Sequence, residues 1–229
     1  MNQDRIWDHF QSAGIDSFRN SDPRQRFLVT RLRPGSRVLN VGIGAGVLEA
    51  LALDRRVDIH ALDPSEAAVA GLRERLGLGG KVALGRVEDV PFGAAGFDTV
   101  VMSEVLEHLD DAALAAALGE VRRLLVPGGR LLLTVPHDEH LPDGEVICPG
   151  CGTQFHRWGH VRSFNRARLR ETLERHGFRV GTMSLEAFPD WQRAGLANLL
   201  KSAARFVMGK LGMAIAQPCI YAEATVREQ

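Results

Sequence analysis

Between Arg37 and His137 short apolar runs alternate with helical patterns, and this alternation restricts the fold more than anything else in the chain. The runs RVLNVGI (37–43), DIHALD (58–63), VALGRVE (82–88), FDTVVMSE (97–104) and RLLLTVPH (130–137) read as strands. Helices are expected between them at 46–54, 65–76 and 111–125, the last halted where Pro127 and the two glycines of VPGGR cannot continue it. Repeated strand–helix–strand order feeds a parallel sheet. After a loop at 138–163 come another helix, NRARLRETLERHG, and two strand-like runs, FRVGTMSLEA and PCIYAEATV. A helical insert at 190–214 separates those two runs.

Composition narrows the class without naming a function. At 229 residues and 45% hydrophobic, the chain can bury a full core as one domain. Its 28 basic and 28 acidic residues cancel, so no global field draws nucleic acid or an anionic membrane, although a local patch still can. The start, MNQDRIWDHFQ, lacks the basic-then-apolar pattern of a secretion signal, and no apolar run approaches the roughly 20 residues that span a bilayer. A cytoplasmic protein is expected. Three cysteines in a reducing compartment argue against a disulfide framework and toward metal binding or redox use of the close pair Cys148 and Cys151.

The glycine-rich turn VLNVGIGAG sets Gly42, Gly44 and Gly46 after the first strand, where backbone without side chains can turn sharply and approach a ligand. A dinucleotide fingerprint wants its third glycine at position 47, which is Val47, so the spacing disfavours a pyrophosphate. Asp63 ends the second strand, where a carboxylate can accept two ribose hydroxyls or cap the next helix. Glu88 and Asp89 precede Pro91 and Phe92, a place for an adenine amino group to find an acceptor, or an ordinary acidic turn.

These segments, in order and spacing through LLVPGGRLLLTVP, resemble the class I S-adenosylmethionine-dependent methyltransferases over roughly residues 24–180. The resemblance implies a Rossmann-like α/β fold of seven strands, mostly parallel with the last antiparallel, and helices on both faces. It also implies that Gly42 and Gly44 pass beneath the cofactor's amino-acid moiety, Asp63 holds the ribose, Val87 and Glu88 flank the adenine, and Ser103 offers backbone to the methionine end. Arg24 or Arg26 could reach the cofactor's carboxylate, or pair at the surface. Where the family usually has an acid the chain has Asn40, which can hydrogen-bond but brings no negative charge.

Methyl transfer from a sulfonium is an in-line displacement, so the protein aligns the acceptor and removes its proton when it is a hydroxyl. The candidates are Glu104, Glu107 and His108 in SEVLEHLDD, whose spacing gathers side chains over one helical turn. This motif resembles that of ubiquinone-pathway O-methyltransferases. It also resembles that of small-RNA 2′-O-methyltransferases, in which matching residues and a later histidine, here His160, bind a divalent metal. His108 is read as a general base, a metal ligand or substrate-site lining. Neutral charge and 6% aromatic residues speak against nucleic acid, leaving a small-molecule, glycan or lipid-linked acceptor. N- or C-methylation, or a cofactor-binding protein without catalysis, is the alternative.

Two segments fall outside this frame. Cys148, Cys151, His156 and His160 form C-x2-C-x4-H-x3-H, four ligands suited to a structural zinc, or else a reduced thiol or redox loop. His160 cannot easily serve both this set and the Glu104–Glu107–His108 cluster. His137 and His140 lie at the rim where ligands bind such sheets, or are solvated loop residues. WQRAGLANLLKSAARFVMGKLGMA (191–214) carries an apolar stripe through Leu196, Leu199, Leu200, Ala203, Val207 and Leu211, opposite Asn198, Lys201, Ser202 and Arg205. Packing against the sheet or a partner subunit is the default expectation. Peripheral membrane contact is the sharper one.

Overall fold

The computed structural model describes residues 21–192 and 194–227. MNQDRIWDHFQ, read above for a secretion signal, lies outside the described residues, as does Arg193 of the helical insert. The elements are α1 (Asp22–Val29), β1 (Arg37–Val41), α2 (Val47–Asp54), β2 (Asp58–Asp63), α3 (Glu66–Leu76), β3 (Val82–Leu84), β4 (Phe97–Ser103), α4 (Asp111–Leu124) and β5 (Leu125–Pro136). They continue with β6 (Glu145–Ile147), β7 (Gln154–His156), α5 (Arg166–Arg175), β8 (Phe178–Glu186), α6 (Leu196–Lys210) and β9 (Cys219–Val226).

Seven strands form one sheet in the order β3-β2-β1-β4-β5-β9-β8, and β6 and β7 pair separately. β1 to β5 run parallel, while β9 runs antiparallel to both β5 and β8. The expected seven-stranded sheet with its last strand reversed is therefore the observed one. Because successive side chains in a strand point to opposite faces, β1 divides its apolar residues between two cores. Leu39 and Val41 join Met102, Leu133 and the inner faces of α4 and α5, whereas Val38 joins Ile59, Val101, Leu132 and residues of α1, α2 and α3. Helix starts follow local chemistry: Asp110 accepts from Ala113 N and Asn165 from Arg168 N, each satisfying an amide that the first turn leaves over.

Three boundaries differ from the sequence pattern. α4 ends at Leu124, before Pro127, because Leu125 is already extended and pairs with Phe97; the register then shifts in a bulge across residues 126–129 of β5 before Arg130 meets Thr99. β3 stops at Leu84, where its neighbour β2 ends, and residues 85–88 turn toward the cleft. Helical insert 190–214 shortens to α6, whose buried residues are Ser202 and Gly209, so the apolar stripe expected to pack against the sheet or a partner subunit does not meet the sheet and looks outward.

Candidate active site

The switch point between β1 and β4 opens a cavity of about 490 Å³, within the range of small-molecule and cofactor sites. Its floor is the turn after β1. Gly42, Gly44 and Gly46 all have positive φ (89°, 54° and 74°), a region that side chains with a Cβ rarely enter. A Cβ on Gly46 would also lie 2.7 Å from Leu72 and Arg75 of α3, so glycine lets the turn nest against that helix.

Asp63 is buried, and its carboxylate accepts from Ile43 N at 2.7 Å and Ser65 N at 2.9 Å. It braces the glycine turn against β2, and Ser65, not Asp63, caps α3. Val87 and Glu88 line the opposite wall. Ser103 Oγ accepts from Arg24 Nε at 2.9 Å, and Arg24 Nη1 lies 3.9 Å from Glu104. Arg24 thus enters the cavity from α1, whereas Arg26 does not line it.

Asn40 lies beneath this floor, buried, donating from Nδ2 to Gly42 O at 3.0 Å and to Glu49 Oε1 at 2.7 Å. Glu49 is 0% exposed, and burial pushes its carboxyl up to about 7. The acid absent at position 40 therefore has a counterpart nine residues on, reaching the turn through the Asn40 amide. A glutamate on the inward side of VLEALALD, a segment otherwise apolar up to Asp54 at its end, was the sequence signal for it.

Glu104 follows β4 with φ 57°, a left-handed conformation that costs a residue with a Cβ about 1–2 kcal/mol. The sharp turn replaces the single helical turn expected for Glu104, Glu107 and His108, and only Leu106–His108 make a 3₁₀ turn. Glu107 is buried with neither carboxylate oxygen hydrogen-bonded among the described residues, and burial, reinforced by the Glu104 charge, raises its pKa well above the usual carboxylate range. His108 is pulled down to about 3, first by burial and then by His160, so the ring is neutral at physiological pH. Its Nδ1 is 3.3 Å from Gly159 O; a carbonyl only accepts, so Nδ1 carries the proton and the lone pair is on Nε2.

The segment after β5 completes the cluster. His160 stands edge-on to His108, ring centroids 4.7 Å apart, and its Nδ1 donates to Glu139 Oε2 at 2.5 Å. His156 stacks on His160 at 4.8 Å and accepts the His160 N–H on Nδ1, which puts the His156 proton on Nε2, 3.6 Å from Glu139 Oε1. Val161 N donates to Glu107 O at 2.9 Å, and Arg162 binds Leu109 O and Asp111, stitching this segment to the turn after β4.

Among the described residues, two groups bring three candidate ligand atoms within 4.8 Å of one another: Glu107–His108–His160 and Glu139–His156–His160. Neither includes a cysteine. Cys148 and Cys151 lie at the turn of the β6–β7 hairpin, while His156 ends β7 opposite Glu145 at the hairpin's base. At about 3.3 Å per residue, base and turn are separated by most of the hairpin's length. The structure does not gather the four residues Cys148, Cys151, His156 and His160, and it places His160 with His108. Glu139, which has no spacing signal, joins them instead. His140 is exposed and pairs with Asp143, and His137 faces Asp138 at 3.7 Å.

A sheet in this order, with a glycine floor after β1 and an acid ending β2, defines the class I fold of S-adenosylmethionine-dependent methyltransferases. The chain matches the family described as "Methyltransferase domain" (Methyltransf_23) over residues 15–183 and belongs to it. It is 33% identical over 165 residues to a "Probable S-adenosylmethionine-dependent methyltransferase" of Mycolicibacterium smegmatis, covering 72% of this chain and 59% of that one. It is 38% identical over 116 residues, 48% of each chain, to the ubiquinone biosynthesis O-methyltransferase of Xanthomonas axonopodis pv. citri. The chain thus spans about half the length of these curated relatives. Its fold matches Burkholderia thailandensis 1,6-didemethyltoxoflavin-N1-methyltransferase, solved with S-adenosylhomocysteine, at TM-score 0.64 and 18% identity over 95% of this chain and 87% of that one.

Proposed function

We propose that the protein transfers a methyl group from S-adenosylmethionine to a hydroxyl of a small-molecule, glycan or lipid-linked acceptor. The observation that carries this reading is the Glu107–His108–His160 cluster at the edge of the glycine-floored cavity. When bound, the cofactor supplies a methyl group activated on a sulfonium. The residues present fit it, since all line the same cavity: Gly42 and Gly44 would leave room for its close approach, Asp63 would hold the ribose, Val87 and Glu88 would hold the adenine, and Ser103 with Arg24 would hold the amino-acid end. An acceptor hydroxyl entering beside Glu104 and His108 hands its proton to His108 Nε2. Gly159 and Glu139 hold the His108 and His160 rings in the required tautomers.

A second reading has its own support. A conjugate acid near 3 makes His108 a weak base, since general bases work best with a pKa near the operating pH. Two imidazoles whose Nδ1 atoms face oxygen acceptors, beside a buried carboxylate not hydrogen-bonded among the described residues, also fit a divalent cation, which would offset the cost of burying Glu107. There the ion would lower the acceptor hydroxyl's pKa.

Calorimetry with S-adenosylmethionine, then a methylation screen on hydroxyl, amine and carbon acceptors, tests the proposal; no cofactor binding at millimolar ligand sinks it. His108→Ala should retain cofactor binding and lower kcat by about 10²–10⁴. Activity abolished by a chelator and restored by a divalent ion selects the metal reading, while activity indifferent to chelation selects the base.

A further inference from the structure

Helix α6 is amphipathic the wrong way round for a helix that belongs to the core. Its protein-facing side is small and polar. A Cβ on Gly209 would come within 2.4 Å of Ala187, Ser202 Oγ donates to Asp190 O at 3.0 Å, and Lys210 pairs with Glu186. The opposite side is apolar and uncovered: Leu196, Leu200, Val207 and Leu211 are 73%, 63%, 55% and 71% exposed, and Ile215, just beyond, is 79% exposed. Trp191 is also exposed, 6.2 Å from Phe206 across the same edge. An apolar face this continuous is far beyond the scattered exposed residues of an ordinary surface.

Charge says what covers it. Residues 191–217 hold four basic residues, Arg193, Lys201, Arg205 and Lys210, and no acidic one, in a chain whose 28 basic and 28 acidic residues balance only as a whole. A second copy docked through a twofold axis would set this basic patch against itself. An anionic lipid surface satisfies both halves of the pattern, taking the leucine and valine side chains below the headgroups and the exposed Lys201 and Arg205 among them. No helix among the described residues is long and apolar enough to cross a membrane, so the contact is a surface one. Gln217, at the end of this segment, lines the cavity, which places the docked face beside the site's mouth.

We propose that α6 docks this protein on anionic membrane surfaces. The test is co-sedimentation of the whole protein with phosphatidylcholine vesicles containing phosphatidylglycerol, against pure phosphatidylcholine, at low and high salt. Wild type should partition onto the anionic vesicles and be released by salt. The outward double variant Leu200→Gln/Val207→Gln should bind about a hundredfold more weakly, with unchanged circular dichroism. Lys201→Glu/Arg205→Glu should abolish the preference for anionic lipid. Binding that ignores lipid charge, equal binding by the double variant, or no binding at all overturns the proposal. So does light scattering that shows a dimer dissociated by Leu200→Gln/Val207→Gln, which assigns the face to a second copy.

Discussion

Burial of Glu49 has a measurable consequence. Its carboxyl, ordinarily near 4.5, titrates at about 7 because burial outweighs the Asn40 hydrogen bond. The folded chain therefore holds this proton between about pH 4.5 and 7 while the unfolded chain has released it, so stability falls as pH rises through that window and levels off above it. Glu49→Gln keeps an acceptor for Asn40 and removes the titration. Its stability relative to wild type should climb between pH 5 and pH 8 by up to about 3 kcal/mol, read from denaturant midpoints. A pH-independent difference would show that Glu49 does not titrate in this range. Asn40 was legible as a departure at the strand end, but its partner was not, because only the packing of α2 under the turn brings position 49 to position 40. Asp63 and the three glycines were legible, since their spacing after β1 and β2 dictates where they end.

The same contrast holds for the elements. Strands and helices from Arg37 to Pro136 follow period and breaker signals closely, because each buries a patterned face against the sheet. The segment after β5 does not, because its residues are placed by tertiary hydrogen bonds: Val161 to Glu107, Arg162 to Leu109 and Asp111, His160 to Glu139. The tight sequence spacing of cysteines and histidines suggested a closed set, yet the hairpin separates thiols from imidazoles. Substituting Cys148→Ser/Cys151→Ser should therefore leave His108 and His160 in place and methyl transfer within about twofold of wild type, because Cys151 is exposed, Cys148 is half-buried in the same turn, and surface substitutions away from such features change stability by about 0.5 kcal/mol or less. Loss of bound zinc, by elemental analysis, with loss of fold would instead assign the four residues to one ion. Gly144→Ala tests the other half of the segment. Its methyl would fall 1.9 Å from His156 Nε2, so the ring must leave Glu139. The His156 and His160 imidazole resonances should shift, and kcat should fall while cofactor affinity holds.

At the scale of the whole molecule, the cavity draws its walls from α1, the turns after β1 to β4, the segment after β5 and Gln217 before β9. A cofactor seated there would meet residues after β1, β2, β3 and β4, so binding it would stabilise the fold as a unit. At a hundredfold excess over Kd, linkage gives about 2.7 kcal/mol. For a domain of this size that raises Tm by roughly 5–10 °C. Glu88 separates this effect from intrinsic stability. Unlike Asp63, which braces two backbone amides, Glu88 is half-exposed at the rim, so Glu88→Ala should leave the ligand-free Tm unchanged and shrink the cofactor-induced rise. Thermal scans with and without S-adenosylhomocysteine read both quantities in one series. An undiminished rise in Glu88→Ala would remove that residue from the adenine's surroundings while leaving the glycine floor and Asp63 to account for binding.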